Sequence, residues 1–140
     1  MNIIIENNYE DLSKKAADII QSEMKSNSRF ILGLATGSTP VGTYNELIRL
    51  HKEEGLDFSN TRTFNLDEYL NIPYENPNSY HYFMKDVFFD HININWDNIN
   101  IPDGNAENIE KYCKDYDKKI ESVGGIDLQI LGIGENGHIA

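Results

Sequence analysis

The sequence predicts one α/β domain over residues 1–140, built on an open parallel sheet with helices on both faces. Strand-length runs at Phe30–Ala35, Thr61–Leu66 and Ile126–Ile133 alternate with amphipathic stretches of helical length. Each run leads straight into a polar, turn-forming motif. Strands separated by helices form right-handed βαβ units, and such units make a parallel sheet whose ligands bind at the carboxyl ends of the strands.

Taken in order, Ile3–Ile5 reads as a short buried strand. Asn8 is placed to cap a helix from Tyr9 to near Lys25, with Leu12, Ala16, Ile19 and Ile20 on one face. Phe30–Ala35 is a buried strand and Thr36–Thr39 a tight loop. Pro40 suits the first turn of a helix that runs to Glu54 with Tyr44, Leu47, Ile48 and His51 along one side, and Gly55 ends it. Thr61–Leu66 alternates polar and apolar residues, as a strand does. Asn71–Asn78, with two prolines, is a loop. Ser79–Phe89 is an aromatic-rich helix, and Ile92–Ile101 has room for a short strand. Asp103-Gly104-Asn105 turns into a helix that Gly124-Gly125 breaks, and Ile126–Ile133 is the most strand-like segment of all. The arrangement is Rossmann-like. No helix follows the last strand to cover its outer face, so the chain reads as an N-terminal portion of something longer.

Composition narrows the function classes. A length of 140 residues suffices for a real core, and 39% hydrophobic with 25% charged residues describes an ordinary globular protein. A net charge of −11 argues against non-specific nucleic-acid or anionic-membrane partners. The single Cys113 has no partner for an internal disulfide, which fits a reducing compartment, and it falls in a helix rather than a nucleophile motif. The start, Met1 to Glu6, has no basic flank and too short an apolar run for a signal peptide, and no run approaches membrane-spanning length, so a cytoplasmic location is expected.

Three strand-end motifs carry the chemistry. Thr36-Gly37-Ser38-Thr39-Pro40 joins a strand to a helix N-terminus, where free amides and the helix dipole favour an anion. Gly37 allows close approach, and Ser38 and Thr39 add hydroxyl donors. The lysine of a P-loop is absent. The plainer reading is a capped turn with Ser38 or Thr39 as N-cap. Asp67-Glu68 sits where a strand ends; one carboxylate can serve as a general base beside a carbonyl while the other orients it, or both are solvated turn acids. Gly132-Ile133-Gly134-Glu135-Asn136-Gly137 fits a G-x-G-x-x-G dinucleotide fingerprint, but the acid expected some twenty residues later is missing. Asn136-Gly137 equally suits a tight turn aiming His138 back over the sheet end, where a side chain that titrates near neutrality can shuttle protons; the alternative is a structural histidine. His51, His81 and His91 lie on predicted helices or helix ends without a partner motif, and no spacing suggests a metal site.

In combination these residues resemble the glucosamine-6-phosphate deaminase family, which shares its fold with the 6-phosphogluconolactonases. The matching stretches are Leu32–Pro40, Phe64-Asn65-Leu66-Asp67-Glu68-Tyr69 and Leu131–Ala140, with Asn78-Ser79-Tyr80, Phe88-Phe89-Asp90-His91 and Gly104-Asn105-Ala106 between them. The resemblance covers the whole chain but only the front part of the family's length. It implies conversion of glucosamine 6-phosphate to fructose 6-phosphate and ammonia, without metal or organic cofactor. Asp67 becomes the base of the enolisation step, with Glu68 in support. His138 accepts the ring-opening proton in contact with Asn136, and Thr36, Gly37, Ser38 and Thr39 hold the phosphate. The partner implied is a small sugar phosphate, with homo-oligomerisation of the full-length protein left open.

Two departures stand out. Many family members carry Asp where this chain has Asn136, and an amide can orient His138 without taking up its charge. The resemblance also places a further Glu and the basic residues of the phosphate site beyond Ala140, so weak turnover is expected of the chain alone. A 6-phosphogluconolactonase is the nearest rival; that branch prefers Asp-Glu-Arg and Asp-Gly-His-Thr, whereas Tyr69 and Ile139 stand here. A non-catalytic sugar-phosphate binder of the same fold is the second rival.

Overall fold

In the computed structural model, which describes residues 2–139, Ile31–Leu34 forms β1 in the middle of a four-stranded parallel sheet. Arg62–Asn65 is β2, Ile99–Asn100 is β3 and Leu128–Gln129 is β4, in the spatial order β3-β2-β1-β4. Leu34 pairs with Asn65, and Gly33 with Gln129, so the carboxyl ends of β1, β2 and β4 lie side by side. The chain steps outward from β1 to β3 and then crosses back to β4. That reversal opens a crevice between β1 and β4, where ligands of open α/β sheets bind.

Helices α1 (Tyr9–Ser26), α2 (Val41–Glu54), α3 (Tyr80–Val87) and α4 (Ile109–Ser122) complete the fold, with short 3-10 turns at Phe89–His91 and Trp96–Asn98. Right-handed crossovers send α2 and α3 to one face of the sheet and α4 to the other. On the first face Tyr44, Leu47, Phe58, Met84 and Phe88 close over Leu32 and Leu34. Tyr44 stacks on Phe88 at 4.9 Å. On the other, Tyr116 of α4 meets Phe64 edge-on at 5.8 Å. No helix among the described residues is long and apolar enough to cross a membrane.

The local signals hold well. Asn8 caps α1 through Asp11 N–H, Gly55 ends α2 in the left-handed region at φ 74°, and Ser79 caps α3 through Tyr82 N–H. Several boundaries move for tertiary reasons. Ile3–Ile5 is no strand: Ile3 and Ile5 are 72% and 88% exposed, because neither sheet edge pairs with them. α1 buries Ser13, Ala17, Ile20 and Met24 and leaves Leu12 and Ile19 outside, a face rotated by one residue that sets Ser13 beside Gly42 of α2. β2 is buried nearly throughout instead of alternating, since helices cover both faces of the sheet. α4 begins at Ile109 with Asn108 as its cap, because Asn105 is committed elsewhere, donating to the Ile72 carbonyl at 2.7 Å. β4 keeps only two residues of the predicted Ile126–Ile133, and among the described residues it has a neighbour on one side alone.

Candidate active site

The loop after β1 is held from two sides. Tyr44 donates its phenolic hydrogen to the Ala35 carbonyl at 2.5 Å, fixing the strand end. Tyr9, the first residue of α1, accepts from Gly42 N–H at 2.8 Å and lies 3.0 Å from the carbonyls of both Ser38 and Thr39. The N-cap of α2 is Pro40, with no side-chain cap, so neither Ser38 nor Thr39 caps the helix as the plainer reading had it. Their hydroxyls stay exposed, and among the described residues the backbone N–H groups of Gly37, Ser38 and Thr39 have no hydrogen-bond partner. Gly37 sits at φ 89°, a conformation that suits glycine and turns successive amides to one side.

At the end of β2 the two acids part. Glu68 turns inward with a fully buried side chain. Its Oε1 accepts from Tyr69 N–H at 2.8 Å and Tyr80 N–H at 3.0 Å. Its Oε2 accepts from His81 N–H at 2.9 Å and from His81 Nδ1 at 2.7 Å. Burial alone would raise the Glu68 carboxyl, but these donors outweigh it and hold the group below the ordinary carboxylate range. Asp67 is exposed and takes no hydrogen bond among the described residues. Partial desolvation, and then the Glu68 charge, push its carboxyl above the ordinary range. The free, basic carboxylate is therefore Asp67, and Glu68 is the structural one.

Tyr80 joins the two loops. Its phenol lies 3.1 Å from the Tyr69 hydroxyl and faces the Thr36 side chain, with the Asp67 carboxylate nearby. The Tyr69 hydrogen bond, then burial, push the Tyr80 phenol upward, so it remains a proton donor at neutral pH. His81, expected to be a helix histidine without a partner motif, pairs with Glu68, and Tyr9 and Tyr80 carried no expected role at the site. The only hint was the Asn78-Ser79-Tyr80 motif, whose partners lie far along the chain.

The glycine-rich loop after β4 folds back on itself. Gly134 N–H donates to His138 O at 2.8 Å, Gly137 N–H donates to Gly134 O at 2.8 Å, and Ile133 bridges Ile139 antiparallel. Gly137 takes φ 84°. Over the described residues this is a hairpin turn, not the strand-to-helix turn a dinucleotide fingerprint calls for. Asn136 Oδ1 accepts from His138 N–H at 3.3 Å and makes a short contact with His138 Nδ1. A Cβ on Gly132 would come within 4.0 Å of Thr39 Cβ, so this hairpin rises beside the loop after β1. Ala140, the last residue of the motif, lies outside the described residues.

Other candidates fall away from this crevice. His51 contacts the Leu56 carbonyl at 2.6 Å and His91 the Asp86 carbonyl at 2.8 Å, while Cys113 is exposed on α4. No group of three or more potential metal ligands gathers among the described residues. A groove of about 740 Å³ runs along the β3 side between Tyr74, His81, Trp96 and Tyr116. None of Thr36–Thr39, Asp67 or His138 lines it.

Residues 6–140 match the family of glucosamine-6-phosphate isomerases and 6-phosphogluconolactonases. The chain belongs to that family. Among curated members, glucosamine-6-phosphate deaminases from Clostridium botulinum and Thermoanaerobacter pseudethanolicus are each 55% identical over 99% of this chain. The chain spans 57% and 55% of their respective lengths, little more than half. Among solved family structures, a monomeric glucosamine-6-phosphate deaminase superposes with a TM-score of 0.96 at 47% identity, over 99% of this chain and 58% of that one. The 6-phosphogluconolactonase of Thermotoga maritima reaches 0.78 at 25% identity, over 99% and 62%.

Proposed function

We propose that the protein is a glucosamine-6-phosphate deaminase, a hydrolase of cytoplasmic amino-sugar catabolism that takes glucosamine 6-phosphate and water to fructose 6-phosphate and ammonia. The observation that carries the reading is the Asp67 carboxylate. Among the described residues it has no hydrogen-bond partner and is raised in basicity, at a strand end next to the loop whose Gly37, Ser38 and Thr39 N–H groups are likewise unpaired.

The N–H groups of Gly37, Ser38 and Thr39, with the hydroxyls of Thr36, Ser38 and Thr39, bind the phosphate. His138, oriented by Asn136, takes the proton from the anomeric hydroxyl as the C1–O5 bond breaks, and that proton passes on to the O5 oxygen. Asp67 removes the C2 proton from the open-chain amino aldehyde, giving an enolamine, and returns it at C1, so that the double bond moves to C2=N and C2 becomes the electrophilic carbon. Water adds there and ammonia leaves. Each step moves a proton between positioned groups, which is what this set of side chains supplies.

The lactonase reading draws less support, since the deaminase relatives stand at 55% identity and the lactonase structure at 25%. The deciding assay gives glucosamine 6-phosphate to the full-length gene product. Ammonia and fructose 6-phosphate should form in equal amounts, and Asp67→Asn should abolish both. Hydrolysis of 6-phosphogluconolactone in their place would overturn the reading. Run in parallel, the 140-residue chain, which spans 57% of those relatives, is expected to turn over weakly.

A further inference from the structure

We propose that His81 is a positioning residue for the proton-transfer step, holding Glu68 so that the preceding residue, Asp67, presents its carboxylate to the crevice. The inference rests on the deaminase reading and adds a residue to which that reading gives no role.

Asp67 makes no hydrogen bond of its own among the described residues, so the backbone on either side must set its direction. Glu68 pins that backbone. Three main-chain N–H groups, those of Tyr69, Tyr80 and His81, reach its carboxylate at 2.8–3.0 Å and tie the loop after β2 to the first turn of α3. The only side-chain donor on Glu68 among the described residues is the His81 ring, through Nδ1 at 2.7 Å. A buried carboxylate cannot donate to a ring nitrogen facing it, so Nδ1 carries the hydrogen and the tautomer is fixed.

The ring is held in turn. It stacks on Tyr74 with centroids 4.0 Å apart and planes 22° apart, and its side chain is 23% exposed. The order of support runs from Tyr74 to His81, to Glu68, to the backbone of Asp67. Removing the ring donor leaves Glu68 Oε2 with the His81 main-chain N–H alone. The buried carboxylate then turns to recover a partner, and the adjoining Asp67 turns with it.

The test compares His81→Asn, whose Nδ2 takes the place of Nδ1 as donor, with His81→Leu, which has no donor. With glucosamine 6-phosphate as substrate, His81→Leu should lose about 10- to 100-fold in kcat while KM stays within about twofold, as expected when a base is misplaced by under an ångström. His81→Asn should restore kcat to within about threefold of wild type. Wild-type turnover with His81→Leu unchanged, or equal losses in both variants, would overturn the inference while leaving the deaminase reading intact. A wild-type protein that forms no ammonia removes that reading, and the inference with it. Should His81→Leu fail to fold, long-range 1H–15N NMR of the unmodified protein at pH 9 decides the matter without any turnover. A neutral His81 must then show the Nδ1–H tautomer, and an Nε2–H tautomer is incompatible with the hydrogen bond to Glu68.

Discussion

The Tyr9 phenol accepts a hydrogen bond from the Gly42 N–H at 2.8 Å, so a residue of α1 satisfies an orphan donor at the start of α2. A helix N-terminus usually receives that service from its own Ser, Thr, Asp or Asn. Here Pro40 stands at the cap and can offer none. The consequence is selective. Gly42 N–H is spent inside the protein, while among the described residues those of Gly37, Ser38 and Thr39 stay unpaired.

Tyr9→Phe should separate those two effects. Losing the phenol removes bonds to Gly42 and to the Ser38 and Thr39 carbonyls. Stability should fall by about 1 kcal/mol, or about 3 °C in Tm. A slackened loop should raise KM for glucosamine 6-phosphate severalfold with kcat little changed. Thermal unfolding and steady-state kinetics check the two halves independently.

Gly104→Ala should be among the costliest single-methyl additions. A Cβ there would lie 1.9 Å from the Tyr69 carbonyl oxygen and 2.9 Å from its carbon, both rigid backbone. At Gly33 the nearest atom is also at 1.9 Å, but it is the far end of the Gln129 side chain, which can swing aside. Gly104→Ala is expected to cost more than about 2 kcal/mol and Gly33→Ala less, as two denaturant melts would show.

Asp67 and Glu68 should pull stability in opposite directions as pH changes. The Asp67 carboxyl is raised in the folded state by desolvation and by Glu68, so the folded protein binds more protons than the unfolded chain. Its contribution is fully present below the unfolded value and is lost as pH rises through the folded one. Glu68 is depressed by its N–H donors, burial notwithstanding, so its contribution is present above the unfolded value and is lost as pH falls through the folded one. Asp67→Asn should therefore raise Tm slightly at pH 7 and not at pH 3, while abolishing turnover. A variant less stable than wild type at pH 7 would contradict the assignment of Asp67 as the strained carboxylate.

Asn136→Asp should increase kcat severalfold if His138 gains a proton during ring opening. Asn136 Oδ1 already accepts from the His138 main-chain N–H at 3.3 Å, so an aspartate fits the same place and adds a charge to stabilise the cation. Asn136→Ala should reduce kcat by losing the orientation altogether. Equal rates in all three forms would show that residue 136 does not work on His138.

How far these relationships could be read beforehand depended on their range along the chain. The Asn8 cap reaches three residues to Asp11 and the Ser79 cap three residues to Tyr82, distances over which residue type alone is informative. The Asn136-Gly137 turn was legible for the same reason. Hydrophobic runs marked the sheet but overstated it at Ile126–Ile133, because a run shows what can be buried and not whether a neighbour exists to pair with it. At Ile3–Ile5 the same gap between capacity and opportunity turned a predicted strand into exposed chain.

The sequence by itself determined which functional groups this protein owns and that they would stand at strand ends, since α/β alternation and turn chemistry are local properties. Tertiary structure alone decided which of two adjacent acids is free. Glu68 is taken by donors at Tyr80 and His81, twelve and thirteen residues away, and Tyr9 reaches the loop after β1 from about thirty residues upstream. Buried donors and acceptors must find partners wherever the strand order β3-β2-β1-β4 brings them. Of the two adjacent acids, Asp67 is the one left without a hydrogen-bond partner among the described residues.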